Sequence, residues 1–141
     1  MPRRSRAREV ALQALHELEF NPPVDERAAA RRRRFFLEAR LRSSRLVDFA
    51  EGLVSGVAGN RPGLDALLDG RSNRWRVSRM AATDRTVLRI ALHELLHTDT
   101  PGPVVVDEAI ELARRYGSAE SPRFVAGILG GVLADPPAGE V

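Results

Sequence analysis

The pentapeptide HELLH, His93 to His97, has the H-E-x-x-H spacing with which a helix offers two imidazoles to a zinc ion and a carboxylate to activate its water. A helix advances about 100° per residue, so the two histidines stand about 40° apart on one face, as a metal site requires. Their surroundings argue against that chemistry. Val87, Leu88, Ala91, Leu92, Leu95 and Leu96 form the main apolar arc of the same helix, and both histidines fall opposite its centre, beside Thr86 and Ile90. They are expected to face solvent or a secondary contact rather than a cleft. A catalytic zinc also needs a third protein ligand. The remaining histidine, His16, is far away in sequence, and nothing singles out Glu108, Glu111 or Glu120. HELLH therefore reads as a chance match, a surface pair of histidines flanking Glu94, with no metal site and no cofactor expected.

A second set of residues suits a different chemistry. The 141-residue chain has 22 basic residues against 19 acidic ones, and every basic one is arginine. A net charge of only +3 makes the distribution more informative than the total. Arg3, Arg4, Arg6 and Arg8 crowd the N-terminus, in an arm and the first turn of a helix. The planar guanidinium grips phosphate bidentately and stacks on bases, so this cluster is a candidate RNA contact. Four phosphate contacts from a mobile arm would give a log–log salt slope of roughly −3. The alternative is a solvated basic terminus. Arg31 to Arg34 span more than one helical turn, so their side chains fan around the axis and read mainly as solvated surface, with RNA contact as the lesser role.

The elements that must position these residues are helical. Ser5 to Glu19 carry Ala7, Ala11, Ala14, Leu15 and Leu18 at three- and four-residue steps, up to Asn21-Pro22-Pro23. Asp25 is a good N-cap for a second helix, which holds Phe35, Phe36 and Leu37 and ends near Leu41. A third follows Ser43-Ser44 with Leu46, Phe49, Ala50, Leu53 and Val57, and stops at Gly59-Asn60. Pro62 suits the first turn of a short fourth helix with Leu64, Leu67 and Leu68. Gly70 to Arg76 form a polar connector that Trp75 is expected to pin to the core. The HELLH helix runs from Ala82 to His97, with Asp84 able to cap its start. A helix with Val105, Ala109, Leu112 and Ala113 is closed by Gly117 at C′. Ser121-Pro122 then open a last helix with Phe124, Val125, Ile128, Leu129 and Val132. The expectation is an all-α domain of about seven helices in two small packed bundles, residues 1–70 and 71–135. The PPAGEV tail is expected to fray.

Composition sets further bounds. The chain has no cysteine, which removes disulfides and thiolate metal sites. No apolar run approaches the roughly 18–20 residues of a membrane span. The basic N-terminus lacks the apolar core of a secretory signal, so the cytoplasm is the expected compartment.

The run RTVLRIALHELL from Arg85, followed by PGPVVVDEAIELARRYGSAESPRFVAGILGGVL, closely resembles the C-terminal half of the NusB family of bacterial transcription antitermination factors. SRAREVALQALHELEF is similar to that family's opening arginine-rich helix, and VDFAEGLVSGVAGNRPGLDALL to its third and fourth helices. Residues 21–44 are the least informative. The motifs most specific to the resemblance are LRIA-x-x-EL at Leu88 to Leu95, DEAIELA at Asp107 to Ala113, and FVAG at Phe124 to Gly127. The chain departs from the family at several positions. An aromatic is usual at His93 and common at His16, Asn is usual at Asp107, a basic residue is common at Val104, and Ala126 replaces an Asn. The first of these further weakens the zinc reading.

The resemblance implies binding of a boxA-type single-stranded RNA in nascent rRNA transcripts. It implies partnership with NusE, a small-subunit ribosomal protein, inside an antitermination complex on RNA polymerase, and no catalysis. It places Glu120, Arg123 and Phe124, at the start of the last helix, on the RNA face, where an aromatic can stack on a base. Ordinary core packing is the equal alternative for Phe124. Ser118 and Ser121 can donate to phosphate near a helix N-terminus, although capping suits Ser121 better. Asp84, Arg85, Arg89 and Glu94 form a candidate partner surface, with intramolecular ion pairing as the competing role. Two other functions fit the family signature. One is the RNA-binding domain of an rRNA methyltransferase, disfavoured because no Gly-rich cofactor loop follows a strand and the chain ends where the catalytic domain would begin. The other is a dimeric interaction module without RNA, since a homodimer could bury the arginine face.

Overall fold

Asp25 opens a helix for a simple reason: its backbone is extended and its carboxylate accepts a hydrogen bond from the Ala28 N–H at 2.7 Å. The helix closes where the Leu41 N–H donates to the Leu37 carbonyl at 2.9 Å, and the Ser43 hydroxyl then accepts from the Leu46 N–H to open the next one. Capping of this kind, with Pro and Gly punctuation, divides the computed structural model into seven helices. They are α1 (Arg3–Phe20), α2 (Glu26–Arg40), α3 (Ser44–Gly59), α4 (Arg61–Arg71), α5 (Ala82–His97), α6 (Gly102–Tyr116) and α7 (Ser121–Ala134). A 3-10 turn at Val77–Arg79 precedes α5, and there is no strand among the described residues. The structure describes residues 3–71 and 76–137; Trp75 and the end of the PPAGEV tail lie outside them. The β-branched run Val104 to Val106 lies inside α6.

The chain divides into two compact units, residues 1–58 and 59–141. This division falls earlier than the boundary near residue 70 that the connector suggested, because α4 belongs with the second group. Leu64 and Leu68 are fully buried, and α4 packs on α5, on α7 and on the 3-10 turn. The Asp69 carboxylate fastens α4 to that turn by accepting from the Val77 N–H at 2.8 Å.

In the first unit α1 packs against α2, and its small residues Ala7, Val10, Ala11 and Ala14 are buried. In the second, α5 contacts α4, α6 and α7, and it is buried on nearly every side from Thr86 to Leu92. Its buried residues include Thr86, Arg89 and Glu94 beside the apolar ones, so packing and not hydrophobic patterning alone places it in the interior. Gly117 links α6 to α7 in an extended conformation, not the left-handed one expected of a C′ glycine. Its need for glycine is steric: a Cβ there would lie 2.4 Å from the Ser121 hydroxyl and 2.8 Å from the Ala113 carbonyl oxygen.

Candidate nucleic-acid interface

Helix α1 already includes Arg3, so the expected mobile arm is helical from that residue. Helical spacing then sorts the four N-terminal arginines. Arg4 and Arg8 stand one turn apart, and both guanidinium groups lie over the Phe49 ring of α3, at 4.6 Å and 5.2 Å from its centroid. Arg4 remains exposed and is held in place by that stack. Arg8 is only 4% exposed, which corrects its expected role: a buried guanidinium over the Phe49 ring offers little surface to phosphate. Arg6 is half-buried and paired with Glu9, a residue also buried. Arg3 is exposed with no ion-pair partner among the described residues. The usable cations of the cluster are Arg3 and Arg4, with Arg6 partly neutralised.

A cleft of about 330 Å³ opens beside them. Arg3, Arg6, Arg40, Arg42 and Ser43 line it. Sequence reasoning missed Arg40 and Arg42; the signal was the basic turn ARLRSS, within the segment the family motifs illuminate least. The run Arg31 to Arg34 is largely committed internally. Arg33 meets Glu51 at 2.6 Å, Arg34 meets Glu38 and Asp48, and Arg32 meets Glu17 and the Asn21 carbonyl. Arg31 alone of the four remains exposed.

The second unit holds the rest of the predicted residues. A cleft of about 210 Å³ brings Glu120, at the cap of α7, and Phe124 of α7 together with Asp84 of α5 and with Arg79 and Met80. Phe124 is half-buried, one face in the cleft and flanked by the buried Val125. Arg123 is exposed on the same helix turn. Ser118 is exposed, whereas Ser121 is 1% exposed and its hydroxyl accepts from the Ser118 N–H at 2.9 Å. Ser121 thus ties the turn together and is not available to phosphate. It is also the first residue of α7, with Glu120 at the cap position.

The four residues expected to form a partner surface part company. Asp84 lies inside the first turn of α5 and does not cap it; its Oδ1 is buried without a hydrogen-bond partner among the described residues. Arg85 folds back to donate to the Met80 carbonyl at 3.0 Å. Arg89 and Glu94 are 4% and 1% exposed, so neither offers a surface to a partner. Arg89 instead binds Asp65 of α4 through two hydrogen bonds at 2.7 and 2.9 Å. The all-round burial of α5 explains both corrections.

It also changes the picture of HELLH. Ile90 and Thr86 are buried, so the face beside the histidines is not open water. His97 is exposed, but His93 is half-buried with its Nδ1 enclosed and lacking a hydrogen-bond partner. Burial, then the neighbouring His97, holds the His93 imidazole below its usual pKa, against a smaller opposing pull from Glu94. The two rings are 5.2 Å apart, and no group of three or more potential ligands occurs among the described residues.

The sequence profile described as the NusB family matches residues 5–134. The chain belongs to the NusB family. Among its relatives is the transcription antitermination protein NusB of Anaeromyxobacter dehalogenans, 45% identical over 137 residues, covering 96% of this chain and 94% of that protein. NusB of T. maritima superposes with a TM-score of 0.80 at 34% identity, covering 96% and 92% of the two chains. A structure of the antitermination factors NusB and NusE in complex with dsRNA contains a chain of the same fold, with a TM-score of 0.77 at 19% identity, covering 95% of this chain and 98% of that one. The seven-helix NusB fold is thus common to chains of low sequence identity. No described helix is long and apolar enough to cross a membrane.

Proposed function

We propose that this NusB-family chain is a cytoplasmic transcription antitermination factor. It binds a boxA-type single-stranded RNA in nascent rRNA transcripts, together with the ribosomal protein NusE, inside an antitermination complex on RNA polymerase. It acts by binding and not by catalysis. The observation that carries this reading is the end-to-end match to a relative named as a transcription antitermination protein. The site chemistry supports it. Arg3 and the Phe49-braced Arg4 present guanidinium groups for phosphate, and the exposed Arg123 adds another. The half-buried Phe124 lines a cleft and suits stacking on a base, with Glu120 beside it to accept from base amino groups. In the second unit, Asp84 and Arg85 are the remaining candidates for contact with a protein partner.

Fluorescence anisotropy of a labelled boxA-type strand against a scrambled one, with and without NusE, tests the reading. Selective binding that NusE strengthens, and that Arg3→Ala with Arg4→Ala weakens, is the expected result. Equal binding to both strands, or binding to neither with NusE present, would overturn it and leave a protein-interaction role.

A further inference from the structure

We propose that the cleft beside the α2–α3 turn is an additional RNA track, one that grips the phosphate backbone of nucleotides flanking the boxA motif whatever their sequence. The inference rests on the RNA-binding role proposed above. At about 330 Å³ the cleft is within the size range that accommodates a nucleotide-sized group. Arg3, Arg6, Arg40 and Arg42 line it, and no carboxylate does.

The absence of acid from the lining separates this cleft from the other basic regions of the same unit. Glu51, Glu38 and Asp48 are drawn off by Arg33 and Arg34, whereas Glu9 partly neutralises Arg6, so the charge of the cleft rests on Arg3, Arg40 and Arg42. Arg42 is exposed and has no ion-pair partner among the described residues. Arg40 is positioned in advance: its guanidinium lies 3.6 Å from the Phe36 ring centroid and donates to the Phe36 carbonyl at 3.2 Å. A guanidinium carries five N–H donors, so this bond leaves others for an anion. Because Arg40 is already held, less side-chain entropy is lost when phosphate arrives. Leu41, 6% exposed, and the partly buried Leu46 are the apolar residues of the lining. Guanidinium groups that meet phosphate position a strand without reading its bases, so the contact is indifferent to sequence.

The test uses the full chain and a boxA-type strand, alone or extended by several uridines at either end, titrated at several salt concentrations. Arg42→Gln and Arg42→Glu probe the cleft, and Arg31→Gln removes an exposed arginine outside it. In the unmodified protein the extension should tighten binding at one end. Arg42→Gln should abolish that gain and flatten the log–log salt slope by about 0.7, the value for one phosphate of a single strand. Arg42→Glu should do more, and Arg31→Gln should change neither quantity. No gain from either extension, or Arg42 variants that keep both the gain and the slope, would overturn the track. A gain seen with an oligoglutamate peptide but not with RNA would also overturn it, assigning the cleft to an acidic protein segment. Loss of selectivity for boxA over a scrambled strand would sink the antitermination reading separately, because the Arg42 slope change can be read on either strand.

Discussion

The Arg89 guanidinium meets Asp65 through parallel hydrogen bonds, Nε to Oδ1 at 2.7 Å and Nη2 to Oδ2 at 2.9 Å, with the arginine side chain 5% exposed. Two charges taken from water recover their desolvation cost only through such geometry, and removing one partner leaves the other uncompensated. Asp65→Asn preserves shape but deletes the negative charge. It should destabilise the protein by about 3 kcal/mol, the low end of the range for a broken buried pair, because Asp65 itself is 26% exposed. Urea denaturation measures this, and RNA binding by the folded fraction should be unchanged. An unmoved midpoint would mean that other contacts suffice to hold the Arg89 charge. Arg8 obeys the same logic with a ring as its neighbour. It packs over Phe49 with little exposure, while Arg4, sharing that ring, keeps a wet edge. At this scale, chemical type alone does not separate a binding arginine from a structural one; burial and partner do.

Helix α5 shows what an element adds to its residues. His93, held below the ordinary imidazole pKa by burial and by His97, binds its proton more weakly in the folded chain than in the unfolded one. The stabilising contribution of its neutral form is therefore present above pH 6.5 and is lost as pH falls through 6.5 toward the lower folded value. His93→Phe removes the titrating group, so its melting temperature should fall less between pH 7 and pH 5 than that of the parent chain. Parallel curves would assign the acid sensitivity to other groups. The helix boundaries themselves were legible, because caps and breakers are local: Asp25, Gly59 and Pro122 each act within a turn of their own position. The family motifs were legible for the same reason, being contiguous. What the sequence concealed depends on contacts distant along the chain. Periodicity gave α5 one apolar arc, but packing on three helices buries the opposite face as well, and Arg89 and Glu94 with it. The division after Ala58 was equally hidden, since α4 joins the second unit through Leu64, Leu68 and Asp69 rather than through anything at the connector. Arg40 and Arg42 acquire meaning only once α1 is seen to lie beside them.

Across the whole molecule, charge is distributed unevenly between the two units. Residues 1–58 contain 12 arginines against 8 acidic side chains, whereas residues 59–141 contain 10 against 11, so the excess positive charge belongs to the first unit. A polyanion is therefore attracted chiefly to the unit that holds Arg3, Arg4, Arg40 and Arg42, while the second unit offers a cleft lined by Asp84 and Glu120 along with Phe124. The chemistry of the attraction is also uniform. Arginine, with a pKa above about 12, does not release its proton in any ordinary buffer, and the chain contains no lysine to do so in its place. His93, held below its usual pKa by burial and by His97, is neutral above pH 7. RNA affinity of the chain with its N-terminal amine acetylated, which removes the α-amino group that titrates in this range, should therefore be flat from pH 7 to pH 8.5 at constant ionic strength, with an unchanged salt slope, while added salt weakens binding steeply. Anisotropy titrations over that grid check both trends. A decline in affinity over the pH range would identify a titrating group at the interface and remove the purely guanidinium account; a flat profile with a steep salt dependence is what an interface of permanently charged arginines requires.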